Sequence, residues 1–159
     1  MASLGPEQPL HLSAASMRVA RFDIETEFAQ IDSSFVVTSS KSFEYNCVAW
    51  ALGLDKGNWW PSEDDYWPPE LPKILSIEAF ESAFTILGFE KCAQRGVEKN
   101  CIKIALYVKD GFPRHVARQL PSGRWSSKLG TEYDIAHHSL QDLMGKRYGN
   151  VYSCYRKRV

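Results

Sequence analysis

The stretch from Cys101 to Leu129 leaves this chain little freedom of fold. Ile102, Ile104, Leu106 and Val108 alternate with Lys103, Ala105, Tyr107 and Lys109. That period of two predicts a strand with one apolar face, ended by the turn chemistry of Asp110-Gly111. His115 to Leu120 reads as a second strand, joined through Pro121-Ser122-Gly123 to a third that runs from Arg124 to Leu129. Proline fixes its own backbone angle and forbids the primed two-residue turns, so a three-residue loop with Gly123 left-handed is expected. In that register Leu120 faces Arg124, Gln119 faces Trp125, Ala117 faces Ser127 and His115 faces Leu129. Paired side chains share a face, which sets His115 and Ser127 diagonally on one surface and turns Ser126 and Lys128 to the other.

A nucleophile to meet that histidine is available upstream. In Tyr45-Asn46-Cys47-Val48-Ala49-Trp50-Ala51-Leu52-Gly53 a cysteine opens a short apolar run that reads as a buried helix. Unpaired N–H groups and the positive end of the helix dipole favour thiolate at such a position. The competing reading is a small core hydrophobe. Cys92, Cys101 and Cys154 have no comparable setting and read as packing residues.

Elsewhere, residues 1–20 have no sustained period and read as a loose arm, ahead of a single domain over 21–159. Ile24, Phe28 and Ile31 suggest a short helix, and Phe35-Val36-Val37-Thr38 a short strand. The prolines of the stretch from Asn58 to Pro69 require a long loop, in which Trp59, Trp60 and Trp67 either wall a substrate groove or plug the edge of the core. Ser76 caps an amphipathic helix carrying Ile77, Phe80, Phe84 and Leu87, stopped by Gly88. Ser139 and Asp142 make a capping box for a short helix closed by Gly145. Val151 to Tyr155 is a last strand, with Arg156-Lys157-Arg158 as a solvated tail. Asp134, His137 and His138 fall in a loop, where the two histidines are further candidates for the site or solvated loop residues.

Nineteen basic side chains balance nineteen acidic ones, so no global field favours nucleic acid or an anionic membrane as partner. The four cysteines include no C-x-x-C pair, which argues against structural zinc and a disulfide framework, and nothing calls for a cofactor. With no Sec-type leader and no run long enough to span a bilayer, the expected location is the cytoplasm, or outside it by a route that leaves no Sec signal.

Two resemblances rest on these residues. His115-Val116-Ala117-Arg118-Gln119-Leu120-Pro121-Ser122-Gly123-Arg124-Trp125-Ser126-Ser127 and Asn46-Cys47-Val48-Ala49-Trp50 resemble the histidine hairpin and the cysteine helix of NlpC/P60-type papain-like cysteine peptidases. The chain also resembles an uncharacterised bacterial family with Y-N-C-x-A-W-A and H-x-A-R-Q-L-P-x-G-x-W-x-S-K-L-G elements, over roughly residues 35–155. The peptidase resemblance implies an α+β, papain-like domain with the cysteine helix packed on an antiparallel sheet. It implies Cys47 as nucleophile, His115 as base and a polar residue at Ser127 to orient the ring, with Asp134 as rival orienter. Asn46 and Ser127 depart from the usual Asp and His, Asn or Gln. Tyr45 is a candidate oxyanion donor. The expected chemistry is amide hydrolysis on a peptide or protein, with glutamine deamidation and acyl transfer open to the same pair. The rival is a non-enzymatic binding or inhibitory module on the same scaffold.

Overall fold

A computed structural model describes residues 7–54 and 57–159. In chain order it contains α1 (Ala14–Glu27), β1 (Val36–Ser39), α2 (Cys47–Ala51), α3 (Ile77–Ile86), β2 (Glu90–Cys92), β3 (Cys101–Lys109), β4 (Phe112–Gln119), β5 (Trp125–Lys128), β6 (Asp134–His137), a 3₁₀ turn (Leu140–Leu143) and β7 (Asn150–Arg158). All seven strands join one sheet in the order β1-β6-β5-β4-β3-β7-β2, and every neighbouring pair is antiparallel.

This corrects the papain-like α+β expectation. The molecule is dominated by a single antiparallel sheet, with 31% of the described residues in strands or β-bridges against 22% in helix. The difference comes from strands that sequence patterning did not reveal. β6 is four residues long and carries Asp134 and His137 at positions read as loop. β2 has two charged residues and a cysteine. β7 continues through the basic end read as a solvated tail, because Arg156 is held there by Glu90 and Glu98, each at 2.9 Å. At the other end, α1 begins at Ala14, capped by the Ser13 hydroxyl, inside the stretch read as a loose arm. Residues 1–6 of that arm lie outside the described residues.

The hairpin register is the one that Pro121 dictates. Gln119 pairs with Trp125 and Arg118 with Ser126, the Leu120 N–H reaches the Arg124 carbonyl at 2.7 Å, and Gly123 is left-handed at φ 93°. Alternation along the strands then builds two cores. One face carries Ala105, Tyr107, Ala117, Trp125, Leu129, Ile135 and Cys154, covered by Ile24 and Phe28 of α1 together with Leu140, Leu143 and Tyr148. The other carries Ile104, Leu106, Val116 and Tyr155, covered by α2, α3 and Trp67. Register shifts on both sides of Tyr107, opposite Arg114 on β4 and opposite Tyr152 on β7, bend the sheet beside His115.

Candidate functional site

α2 is only five residues long and depends on its cap. Asn46 Oδ1 accepts the N–H of Ala49 at 3.0 Å and that of Trp59 at 3.1 Å, while Nδ2 donates to the Trp59 carbonyl at 2.7 Å. One amide thus starts the helix and ties the aromatic loop to it, which accounts for asparagine here: an aspartate has no proton for the Trp59 carbonyl. Asn46→Ala is expected to cost about 2 kcal/mol in urea unfolding, and Asn46→Asp to recover only the capping part.

The helix lies on the sheet face opposite the one that carries His115 and Ser127. Trp50 Nε1 donates to Ser126 Oγ at 2.8 Å and Arg118 reaches the Ala51 carbonyl at 3.4 Å, so α2 covers the surface of Val116, Arg118 and Ser126. His115 and Ser127 point to the other side. Ladder pairing of β4 with β5 ends at Arg118 and Ser126. Cys47 meets β4 beyond that point, where the backbone N–H of Val116, next to His115, favours its thiolate. The N–H groups of Val48 and Cys47 also stabilise the thiolate, as does the Arg147 charge, yet burial outweighs all of them and holds the thiol above its ordinary value. Among the described residues no hydrogen bond joins Cys47 to His115, so the resting pair is a neutral thiol and a neutral imidazole, not an ion pair.

His115 is completely buried, and its proton is placed by a line of acceptors. His137 Nδ1 lies 2.9 Å from the Ser139 carbonyl, which can only accept, so Nδ1 carries the proton and Nε2 is a bare acceptor. Ser127 Oγ stands 2.8 Å from that Nε2 and must donate to it. The same oxygen lies 2.9 Å from His115 Nε2 and therefore accepts from it. What remains is His115 Nδ1, a bare lone pair, buried and without a hydrogen-bond partner. Burial depresses the pKa of both rings, His115 well below the usual histidine value and His137 to about 4, so both are neutral at physiological pH. His137, a further candidate that the sequence leaves in a loop, is placed here by β6. Once Ile135 is seen to face Ser127, the diagonal rule that links His115 to Ser127 also links Ser127 to His137.

Two further side chains complete the surroundings. The Tyr148 ring stacks on His115 with centroids 4.2 Å apart and planes 6° from parallel. Arg147 lies over that ring at 5.1 Å from its centroid and pairs with Glu27 of α1 at 3.2 Å. Neither carries a pattern that sequence alone would single out.

Asp134 does not reach the histidine. It sits on the α2 side, opposite Lys128 in the register, where it accepts from the Tyr45 hydroxyl at 2.6 Å and lies 3.9 Å from the Lys128 ammonium. Both charges are fully buried; desolvation raises the Asp134 pKa and lowers that of Lys128. Tyr45 is thus engaged with Asp134, and its ring stacks on Trp50. Trp67 and Trp60 pack on Phe80 of α3, and Trp59 on Tyr66. The aromatic loop therefore seals the α2–α3 core, with Trp59 and Trp60 half-buried at its edge. Among the described residues no group of three or more His, Cys, Asp or Glu side chains is arranged to hold a metal ion. Nor is any described helix long and apolar enough to cross a membrane.

Residues 36–156 match a family model described as a domain of unknown function, DUF7689. The chain belongs to this family. No curated protein and no solved structure matches it. The DUF7689 segment contains Cys47, His115, Ser127, His137 and Arg147, whereas α1, with Glu27, lies ahead of it.

Proposed function

We propose that the protein cleaves or rearranges an amide bond, with Cys47 as nucleophile and His115 as base. The observation that carries this reading is the proton line: Ser139, His137 and Ser127 leave His115 with an unprotonated, unpartnered Nδ1, at the strand position next to the one that meets the Cys47 thiol. The cysteine-helix and histidine-hairpin motifs add the support of their resemblance to thiol peptidases. In the reaction Cys47 must first close on Nδ1, which it does not touch at rest; Nδ1 then takes the thiol proton as sulfur attacks the carbonyl carbon, and returns it to the departing amine. Water, or a second amine, resolves the thioester. The N–H groups of Cys47, Val48 and Val116, which favour the thiolate, are the donors available to an oxyanion beside it. Hydrolysis, glutamine deamidation and acyl transfer share these steps.

One observation favours a second reading, a binding module on the same scaffold: Cys47 is only 7% exposed and makes no hydrogen bond to the ring. Acyl transfer from p-nitrophenyl acetate, followed by intact mass and peptide mapping, separates the two. The enzyme reading expects acetyl on Cys47 ahead of Cys92, Cys101 and Cys154, with a rate that depends on His115. Acetylation no faster at Cys47 than at Cys154, or indifferent to His115→Ala, would leave the binding module standing.

A further inference from the structure

We propose that Arg147 is a carboxylate-binding site and that the ligand accepted beside Cys47 and His115 is an amide bearing a free carboxylate; the ligand's fate rests on the thiol reading, its binding does not. Between α1 and the Leu129–Tyr133 loop lies a cleft of about 520 Å³ lined by Phe28, by the cations Lys41 and Arg147 and by the carboxylates Asp23, Glu27 and Glu132; Cys47 and His115 lie behind it and do not line it. The guanidinium is seated by its surroundings. It rests against the rings of Tyr148 and Phe28, and a Cβ at Gly130 would come within 2.6 Å of its Nη2, so the glycine clears the space it occupies. Tyr148 in turn stacks on His115, which puts a group held by Arg147 one ring away from the proposed base.

The two cations of the cleft differ in one respect. Lys41 pairs with Glu132 at 2.8 Å, and both residues belong to the DUF7689 segment. Arg147 pairs with Glu27, a half-exposed residue at the end of α1 that lies outside it. The Glu27 carboxylate, 3.2 Å from the guanidinium, marks where a ligand carboxylate would bind, and the planar fork of arginine suits a bidentate carboxylate. An incoming carboxylate exchanges with Glu27 on the guanidinium, with no covalent step.

The test is an amide-resolved NMR titration of the full chain carrying Cys47→Ala, which binds without turnover. The probes are N-acetylglycylglycine, with a main-chain carboxylate, N-acetylglutamate α-amide, with a side-chain carboxylate, and N-acetylglycylglycine amide as the uncharged control. Either carboxylate should move the Gly130 and Arg147 signals, and the tighter one identifies the source; the control should not. Glu27→Gln should tighten binding at least fivefold, and Arg147→Gln should weaken it at least tenfold. Equal shifts from control and carboxylates, no shift from either carboxylate, or a Glu27→Gln affinity equal to the parent's would overturn the proposal. Because acetylation of Cys47 is not measured, a failure here is distinct from a failure of the thiol chemistry.

Strand register independently assigns a second site: Cys92 and Cys154 form an oxidisable dithiol that takes a peroxide. They are direct partners on β2 and β7, and both pack against the same core face. Directly opposed antiparallel residues stand about 4.5–5.5 Å apart at Cα, inside the roughly 4.4–6.8 Å range of disulfides. The neighbour of Cys154 on its other side is Ala105, which leaves room for the sulfurs. Cys92 is the accessible partner. Burial raises the pKa of the Cys92 thiol, so peroxide reacts with the small fraction ionised: the thiolate sulfur takes one peroxide oxygen as a sulfenic acid, and the other leaves as hydroxide that the released thiol proton converts to water; the Cys154 thiol then displaces the sulfenic hydroxyl, its proton leaving with it as a second water, to give the disulfide. After hydrogen peroxide treatment of the full chain, peptide mapping should find the 92–154 crosslink, reversed by dithiothreitol, retained in Cys101→Ser and absent in Cys92→Ser. Oxidation of Cys92 to sulfinic acid without a crosslink, or a Cys92–Cys101 bond in its place, would refute it.

Discussion

His115→Ala should slow acetylation of Cys47 by about 10²–10⁴-fold, the range over which positioned general bases act. The variant removes the only basic lone pair that the proton line exposes, while Ser127 and His137 keep their bond to each other. Ser127→Ala and His137→Ala act one and two steps away and should be milder. Each removes a hydrogen bond worth about 1.4 kcal/mol in holding His115 as its Nε2–H tautomer, which corresponds to roughly tenfold in rate. Asp134→Asn, on the other side of the sheet, should leave the pH profile of acetylation unchanged even where it lowers stability. That profile has its own signature. The depressed His115 pKa keeps the base available well below pH 6.5, and the raised Cys47 pKa makes the rate climb past pH 9, where a preformed ion pair would give a plateau from acid pH. A plateau through neutral pH would contradict the neutral resting pair.

Mild acid should destabilise the fold strongly. In the unfolded chain both rings titrate near pH 6.5, whereas in the folded chain His137 accepts a proton only at about 4 and His115 also resists well below its usual value. The unfolded state therefore binds more protons between these limits. Stability tied to the neutral rings is complete above about pH 6.5 and is lost as pH falls towards 4. At about 1.36 kcal/mol per pH unit, His137 alone contributes about 3 kcal/mol over that window, and His115 adds in the same direction. Asp134 acts oppositely, since its raised pKa lets the folded state take up a proton more easily, but its range begins near and above 3.8. Urea midpoints between pH 7 and pH 5, measured also in Asp134→Asn to remove its opposing contribution, isolate the histidine effect. Midpoints that stay level over that interval would mean that the rings are solvated or already charged.

The sheet and its site were legible in the sequence to different depths. Where a proline turn fixed the register, side-chain placement could be derived outright, and His115 with Ser127 is the result. Where a strand is as short as β6, four residues give too little alternation to separate it from loop, so the sequence offers Asp134 as a rival orienter and His137 only as a further candidate or a solvated ring. The side of the sheet on which α2 packs was also hidden. Both faces beside the hairpin are apolar enough to receive a helix, and the choice is made by Trp50 finding Ser126 and by α3 and Trp67 sharing that side. The rings of the aromatic loop looked equally suited to a groove or a core; contact with Phe80 places Trp60 and Trp67 with the core. Arg147 and Tyr148 left no trace because stacking on a distant histidine has no sequence period.

The borders of the sheet carry a consequence for behaviour at high concentration. A seven-stranded antiparallel sheet with open margins would invite other chains to pair along it. Here one margin is β2, three residues long and charged at Glu90 and Lys91; the other, β1, has four residues, and its Val37 carbonyl already receives the N–H of Leu10 at 2.7 Å. Short, charged or occupied margins give a foreign strand few free backbone groups, so the chain guards itself against edge-to-edge aggregation. Removing the segment that contains Leu10 would uncover one of those margins and favour self-association there.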